Sequence, residues 1–386
     1  TTEGTWMSSD LSPDGRWAVS GSKSLTFFDT ATWKKGVSIK GHRHEIQDSA
    51  FSPDGATIYT VAEAAGVSHQ TVSRYLKGDS LRPGNRERVE QAMKALDYQV
   101  NDVAQALSTK KSHRIGAFVF DIDDWAPQRI LAGAAKAARS AGYILDILRV
   151  DPEDNVSLRN AVRLMNRTML AGVVVISPSD PILRLLQLER LRVPWVVEAE
   201  PVLGPDDDRA LQHPFARVVS HLADLGHERF FHIGGPVSWL AERNRREAYR
   251  QTLARRGLTN CGETQGLWGA AAGYEAMASY PHADAPTAIV AASDQLALGA
   301  LFWLQEHGVR VPDDVSVSGY DGIADTEYYW PPLTTVAVDF PRMGRNTVQA
   351  LLALEGGGGP PDLGMPVGEL VPRASTGRPG GGIPAP

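Results

Sequence analysis

Residues 56 to 79 read ATIYTVAEAAGVSHQTVSRYLKGD, and the pattern they open runs on to Leu107. At about 100° per residue, Val72, Tyr75 and Leu76 fall on one side of a short helix, while His69, Gln70, Ser73 and Arg74 crowd the other. Ahead of it, Val61, Ala62 and Ala65 give a first helix an inward stripe. Gly66 permits a sharp turn between the two, and Ser68 is an N-cap for the second. A third helix, from about Pro83 to Asp97, is expected to bury Val89, Met93 and Leu96 beneath the pair. The apolar side packs, and the polar side is left as an edge that suits a DNA major groove. Gln70 pairs well with adenine and Arg74 with guanine, so His69, Gln70 and Arg74 are the expected base readers. Ser68, Thr71 and Ser73 are expected to support backbone contacts.

From Thr57 to the ASTG at Ala374 to Gly377, the chain resembles the LacI family of transcriptional regulators, and TVAEAAGVSHQTVSRYLKG carries the likeness. The resemblance implies that Thr57 and Tyr59 lie close to phosphates. It also implies that NDVAQAL is a hinge helix ordered on DNA, with Asn101 and Ala104 at the duplex and Leu107 wedged between base steps in the minor groove. Two positions depart from the family pattern. Val100 stands where proline is usual, and Asp102 brings a negative charge near the phosphates. The partners implied are operator DNA, a small sugar-like effector and a second copy of the chain.

At 386 residues with 42% hydrophobic content, the chain is long enough for two or three domains with ordinary cores. No apolar run approaches a membrane span, and TTEGTWMSSD lacks the basic and apolar parts of a signal peptide. A single cysteine, Cys261, excludes an internal disulfide and a cysteine-rich metal site, in keeping with a reducing cytoplasm. The net charge of −6 argues against nucleic acid only when the chain is read whole. Residues 57 to 115 hold nine Lys and Arg against six Asp and Glu, so the positive charge sits on the segment expected to meet DNA. No P-loop, dinucleotide fingerprint, zinc spacing or nucleophile elbow is present, so neither enzyme chemistry nor a cofactor or metal is expected. His227 and His232, in LGHERFFHIGG, are read as structural.

Residues 1 to 55 read differently. LSPDGRWAVSGS and AFSPDGATIYT are strand-turn signals, and with GHRHEI they resemble a WD40 repeat of little more than one blade. A lone blade leaves edges and an apolar face uncovered. Either partner blades come from elsewhere or the segment is a fusion or a misplaced gene start, and the second is preferred, with a seam near Gly55.

From Arg114 onward, short apolar strands alternate with helices, the pattern of doubly wound α/β lobes. IGAFVF, ILDILRV, GVVVI and PWVVEAE are strands of a first lobe; FFHIGG, AIVAAS and VSVSGYDG belong to a second. The expected architecture is multidomain. A partial WD40-like β segment at 1–55 precedes a helix-turn-helix domain at 56–99 and a hinge helix with linker at 100–112. A two-lobed core at 113–376, resembling periplasmic binding proteins, follows, and a disordered tail occupies 377–386. Lobe 1 takes roughly 113–200 and 340–357, and lobe 2 takes 201–339 and 358–376.

A cleft between such lobes suits a small polar ligand. By resemblance, Arg245 offers a fork of donors, Trp268 a stacking face and Asp321 a two-hydroxyl acceptor. Each has a plainer reading, as a solvated arginine, a core ring and a loop cap. Ser293 takes a place where the family often has Asn. Its neighbour Asp294 is read as the N-cap of DQLALGALFWLQEHG. Asp124, Trp125 and Asp180 face the cleft from lobe 1, with a loop aromatic as the rival for Trp125 and a helix cap as the rival for Asp180. The reading is a cytoplasmic, dimeric, ligand-responsive repressor, the ligand acting as inducer or corepressor. A transport-type sugar-binding protein and a WD-type scaffold are the alternatives.

Overall fold

The computed structural model describes residues 9–11, 17–21, 24–29, 35–40, 58–76, 79–98, 112–120, 124–151, 154–198, 200–205, 207–280, 285–355 and 363–381. The chain divides into two compact units, Thr1–His113 and Arg114–Pro386.

In the first unit, strands β1 (Ser9–Leu11), β2 (Trp17–Gly21), β3 (Ser24–Asp29) and β4 (Lys35–Lys40) pair antiparallel in chain order. Helices α1 (Ile58–Ala65), α2 (His69–Leu76) and α3 (Asn85–Ala95) follow. Ile58 to Thr60 are thus the start of a helix, not the end of a WD-like strand pair. The inward stripe is as the periodicity requires. Val61, Ala62, Ala65, Val72, Val89 and Ala92 form a small core, with Tyr75, Leu76, Met93 and Leu96 packed around it. Gly66 holds a left-handed φ of 61° at the turn, and Thr71 N donates to Ser68 Oγ at 3.2 Å as the cap. The third helix is shorter than its pattern, since Gly84 has left-handed φ and Asp97 lies beyond the last turn.

The second unit holds two parallel sheets of the same design. In lobe 1, β5 (Arg114–Val119), α4 (Trp125–Ser140), β6 (Ile144–Arg149), α5 (Asn155–Arg167), β7 (Gly172–Ile176), α6 (Asp180–Glu189) and β8 (Trp195–Glu198) give the strand order β6-β5-β7-β8. The central strands β5 and β7 are buried along their length apart from Arg114, which is why they read as unbroken apolar runs. In lobe 2, α7 (Pro214–Asp224), β9 (Arg229–Gly234), α8 (Leu240–Arg256), β10 (Thr259–Gln265), α9 (Ala270–Ala278), β11 (Ala288–Ala291), α10 (Asp294–Glu306) and β12 (Ser316–Ser318) repeat that order as β10-β9-β11-β12. Strand β10, polar as TNCGETQ and half exposed at the sheet edge, has no apolar alternation to announce it.

Strand β13 (Thr335–Val338) then pairs antiparallel with β14 (Gly368–Val371), and α11 (Phe340–Glu355) lies between them in sequence. TTVAVD therefore stays on lobe 2, and the return to lobe 1 begins with α11, whose Phe340, Val348 and Leu351 join the lobe 1 core. Helix α11 approaches α4 closely because each presents a glycine: a Cβ on Gly133 would collide with the Pro341 carbonyl, and one on Gly344 with that of Ile130. Gly377 to Gly381, expected in a loose tail, lie against lobe 2. Gly377 N donates to Ser316 Oγ at 3.0 Å, its carbonyl accepts from His227 Nε2 at 3.0 Å, and Pro379 lies against Gly226.

Candidate functional site

All six arginines of α8 face carboxylates, but at very different depths. Arg250, Arg255 and Arg256 pair on the surface or near it, with Glu263, Asp208 and Asp224. Arg246 joins Glu242 at 2.8 Å and Glu263 at 2.9 Å inside lobe 2. Arg245 is the buried one: its Nη2 lies 3.5 Å from Asp321 Oδ1, with side chains 6% and 8% exposed. That contact is an ion pair too poorly aligned to be a hydrogen bond. The other fork atom, Nη1, donates to the Ala292 carbonyl at 2.6 Å.

Aromatic faces flank the same guanidinium. Its carbon lies 4.4 Å from the centroid of Tyr320 and 5.4 Å from that of Trp268. Trp268 is half-buried, and its ring sits where a Cβ on Gly235 would be, so only glycine there admits it. Among the described residues, five buried side-chain atoms have no hydrogen-bond partner, and three of them, Arg245 Nε, Tyr320 Oη and Asp321 Oδ1, surround this point. Burial raises the Asp321 carboxyl, Arg245 opposes that, and Asp294 and Asp124 push it further up. Asp124 of lobe 1 thus bears on Asp321 of lobe 2. Native interiors rarely leave donors and acceptors idle, so such a concentration makes this point the candidate site for a polar ligand.

The rim of the cleft is held shut by a different set. Ser179 and Trp239, which precede α6 and α8, pair as an antiparallel bridge, and Asp180 N donates to the Ser238 carbonyl at 2.9 Å. Arg243 then forks onto Asp180 at 2.9 and 3.0 Å, and the Trp239 side chain packs on the lobe 1 core. Behind the cleft, Asn244 grips the crossover between lobes. It donates to Glu200 Oε2 and to the Pro201 carbonyl, both at 2.9 Å, and accepts from Leu203 N at 3.0 Å. His213 Nδ1 accepts from Phe215 N, which leaves the ring proton on Nε2 to donate to Glu200 at 3.1 Å. Burial works to raise the Glu200 carboxyl, but His213, Arg245 and Asn244 hold it below its ordinary range.

The structure therefore gathers Arg245, Trp268, Asp321 and Asp124 around one point, with Ser293 one residue beyond the Ala292 carbonyl. Two cap assignments change. Ser293 is the N-cap of α10, accepting from Leu296 N at 3.1 Å, and Asp294 is fully buried with other partners. Ser179, not Asp180, occupies the cap position of α6. Trp125 is half-buried under Arg129, 4.7 Å from its centroid, and packs on the lobe 1 core. His227 and His232 bind different groups, the first Thr287 and Gly377, the second the Val290 carbonyl. Tyr320, Asn244, Glu200 and Gly235 escaped the sequence reading. Only the glycine pair of HIGGP carried a signal, because the others act through neighbours distant in the chain.

In the first unit, Gln70 and Arg74 are exposed and Ser73, His69 and Thr71 half-exposed along one edge of α2. His69 stacks on Tyr59 with centroids 5.1 Å apart. Arg74 Nη2 donates to the Ser80 carbonyl at 2.8 Å, and its Nε lies 3.7 Å from Asp79. Thr57, Asn101, Ala104 and Leu107 lie outside the described residues, as do Val100 and Asp102.

A helix-turn-helix followed by two parallel α/β lobes is the anatomy of a regulator that joins DNA binding to a ligand-binding core. Two family models match: bacterial regulatory proteins of the lacI family over residues 57–101, and the periplasmic binding protein-like domain over 219–376. The lactose operon repressor of Escherichia coli (strain K12) is 33% identical over 314 residues, spanning 78% of this chain and 85% of that protein. The transcriptional repressor PurR of Mannheimia succiniciproducens is 29% identical over 304 residues, spanning 77% and 91%. Among solved structures, the lac repressor dimer bound to operator and the anti-inducer ONPF matches with a TM-score of 0.70 at 32% identity, over 83% of this chain and 99% of that one. A complex of the regulator CelR with cellobiose matches at 0.60 and 26%, over 83% and 99%. The chain belongs to the LacI family of bacterial transcriptional regulators. It is a DNA-binding repressor with a periplasmic-binding-protein-like effector domain, and not an enzyme. The matches give no support to the WD-like reading of residues 1–55. Among the described residues, no helix is long and apolar enough to cross a membrane.

Proposed function

We propose that this repressor works in the cytoplasm as a homodimer whose hold on its operator is set by a sugar-like effector bound between the lobes. The observation that carries the effector reading is the buried Arg245–Asp321 pair, misaligned so that Arg245 Nε and Asp321 Oδ1 lack hydrogen-bond partners, as does Tyr320 Oη, with the Trp268 face beside it. Vicinal hydroxyls over an aromatic ring match that set of groups: they accept from guanidinium, donate to carboxylate and bury C–H faces on indole. Ser293, Asp124 and Trp125 complete the wall, and Asp180 stands at the rim.

Base reading falls to His69, Gln70 and Arg74. Tyr59, Ser68, Thr71 and Ser73 serve the backbone together with Thr57, and Asn101, Ala104 and Leu107 make the hinge contacts. Effector and operator act on one equilibrium between lobe arrangements, so each alters the affinity of the other by the same factor, in either sign. A second copy is suited by a mostly apolar groove between α9 and α10, lined by Ala270, Ala271, Tyr274, Leu298, Gly299 and Phe302, the last 55% exposed, with Glu275 as its charged member. Residues 1–55 are an addition that DNA binding does not need; deleting them should leave operator affinity equal or higher.

The test is a thermal melt of the full chain with cellobiose, lactose and guanine in turn, repeated with Asp321→Ala. A ligand at 100 times its dissociation constant adds about 2.7 kcal/mol. Stabilisation by guanine alone would overturn the sugar reading, and a sugar shift undiminished in Asp321→Ala would place the site elsewhere.

A further inference from the structure

We infer that Asp294 is the positioning residue of the effector site: its carboxylate pins the loop Gly319–Ile323 and thereby aims Asp321 at Arg245. This rests on the reading of Asp321 as an effector group. Asp294 stands in the first turn of α10 with no solvent exposure, so it is placed to act on its neighbours and not on a ligand.

Every contact it makes leads to that loop or to the strand behind it. Ile323 N donates to Asp294 Oδ2 at 2.8 Å. Thr335 of β13 donates its hydroxyl to Oδ1 at 2.5 Å. Asp294 N donates to the Tyr320 carbonyl at 2.7 Å. A Cβ on Gly319 would run into Asp294 Oδ1, so the loop is drawn down onto the carboxylate as far as glycine allows.

The consequence is visible at Asp321. Its φ is 120°, a conformation that side-chain-bearing residues rarely adopt and that persists only where the surroundings over-determine it. Two anchors do so. On one side Asp321 N donates to the Val336 carbonyl at 3.1 Å and Val338 N donates to the Asp321 carbonyl at 3.3 Å. On the other, Asp294 holds Ile323, two residues on. Without that second anchor the peptide after Asp321 is free to relax to negative φ, which turns the carboxylate away from Arg245.

Asp294 also acts through its charge. Burial pushes it up to about 7, against donors from Thr335 and Ile323; Arg373 favours its ionised form. The charged or titratable groups that face it are Asp321 from the loop, Arg373 after β14 and Tyr329 beyond the loop, whose hydroxyl it helps to raise. Its negative charge in turn helps raise the Asp321 carboxyl.

Two measurements on the full chain decide this without knowing the effector. Hydrogen exchange at Ile323 should run at least about tenfold faster in Asp294→Ala and stay within about threefold of wild type in Asp294→Asn, whose amide oxygen can keep that bond. Carbon-13 titration of the Asp321 carboxyl should move to lower pH in both variants, because a neighbouring charge has gone. Should the alanine variant fail to fold, Thr335→Val, which removes one of the donors, should still speed exchange at the Ile323 amide. Wild-type exchange in Asp294→Ala or in Thr335→Val, or an Asp321 titration unmoved in Asp294→Asn, overturns the inference. Cellobiose binding that survives Asp321→Ala would instead sink the reading of the site, leaving the exchange result standing.

Discussion

The two lobes of the core share a strand order and differ in what they bury. Lobe 1 closes over a largely apolar interior, with Phe118, Phe120, Val175, Ile176 and Leu186 at its centre and Glu198, with Glu200 at the crossover, as buried carboxylates. Lobe 2 buries His213, His232, Glu242, Asn244, Arg245, Ser293, Asp294 and Asp321. One topology therefore serves two tasks: lobe 1 is a wall and lobe 2 is an instrument. Burying charge costs stability unless geometry is excellent, so a cluster of it in one lobe is what the proposed recognition site requires.

The comparison breaks most sharply at Arg245. Arg245→Ala strands Asp321 in a buried site, which should cost about 3–5 kcal/mol of stability. It should also weaken effector binding by at least about a hundredfold, as a site built on hydrogen bonds rejects a poorer match. Urea unfolding and calorimetry of the core measure both; a loss of stability with normal binding would make the pair merely structural. Leu186→Ala in lobe 1 should cost a similar roughly 2–5 kcal/mol through its cavity, but with effector affinity within about threefold of wild type. A hundredfold loss there would erase the distinction between the lobes.

Glu198 sharpens the contrast from the other side. Burial first, and Glu200 second, push its carboxyl up to about 7 from an ordinary 4.5, although Ser177 donates to it from backbone and hydroxyl. Between those two values the folded chain keeps a proton that the unfolded chain has released, so this group's contribution is lost as pH rises from 4.5 to about 7 and is level above that. Glu198→Gln should therefore match wild type below pH 4.5 and exceed it by about 3 kcal/mol at pH 8. An equal gain at both pH values would point to packing instead of charge.

The smallest effect belongs to the lobe 1 counterpart of the buried pair. Arg114 forks onto Asp146 with side chains 50% and 28% exposed. Arg114→Ala should change stability by only about 0–1 kcal/mol, since water screens and solvates what it loses. A cost above about 2 kcal/mol would mean that exposure does not separate the two Arg–Asp pairs.

Much of this was legible in the chain. The helix-turn-helix needs only neighbours within a few residues: Val61, Ala62 and Ala65 stack at helical spacing, Gly66 turns, Ser68 caps, and the reading edge follows from what is left over. The same holds for β5, β7 and β11, whose apolar runs mark buried parallel strands. Arg245, Trp268 and Asp321 were found through family resemblance, and the fold then brought them to one point. What escaped was of another kind. Asp294 looks like a helix cap by position, and only the arrival of Ile323 and Thr335 turns its carboxylate inward. Asp180 looks like a cap too, until Arg243 reaches it from the opposite lobe.

The sequence by itself determined the elements, their order in two α/β lobes and the polar edge of α2, because periodicity, turns and caps are short-range properties of the backbone. The tertiary structure alone decided which arginine of α8 is buried, that Ser293 and not Asp294 caps α10, how Asp321 is held at its unusual φ, and that Gly377 and Pro379 lie against lobe 2. Those outcomes depend on groups 20 to more than 100 residues apart meeting out of water, where an ion pair or an idle hydrogen-bonding atom gains its strength from the surroundings and not from its place in the chain.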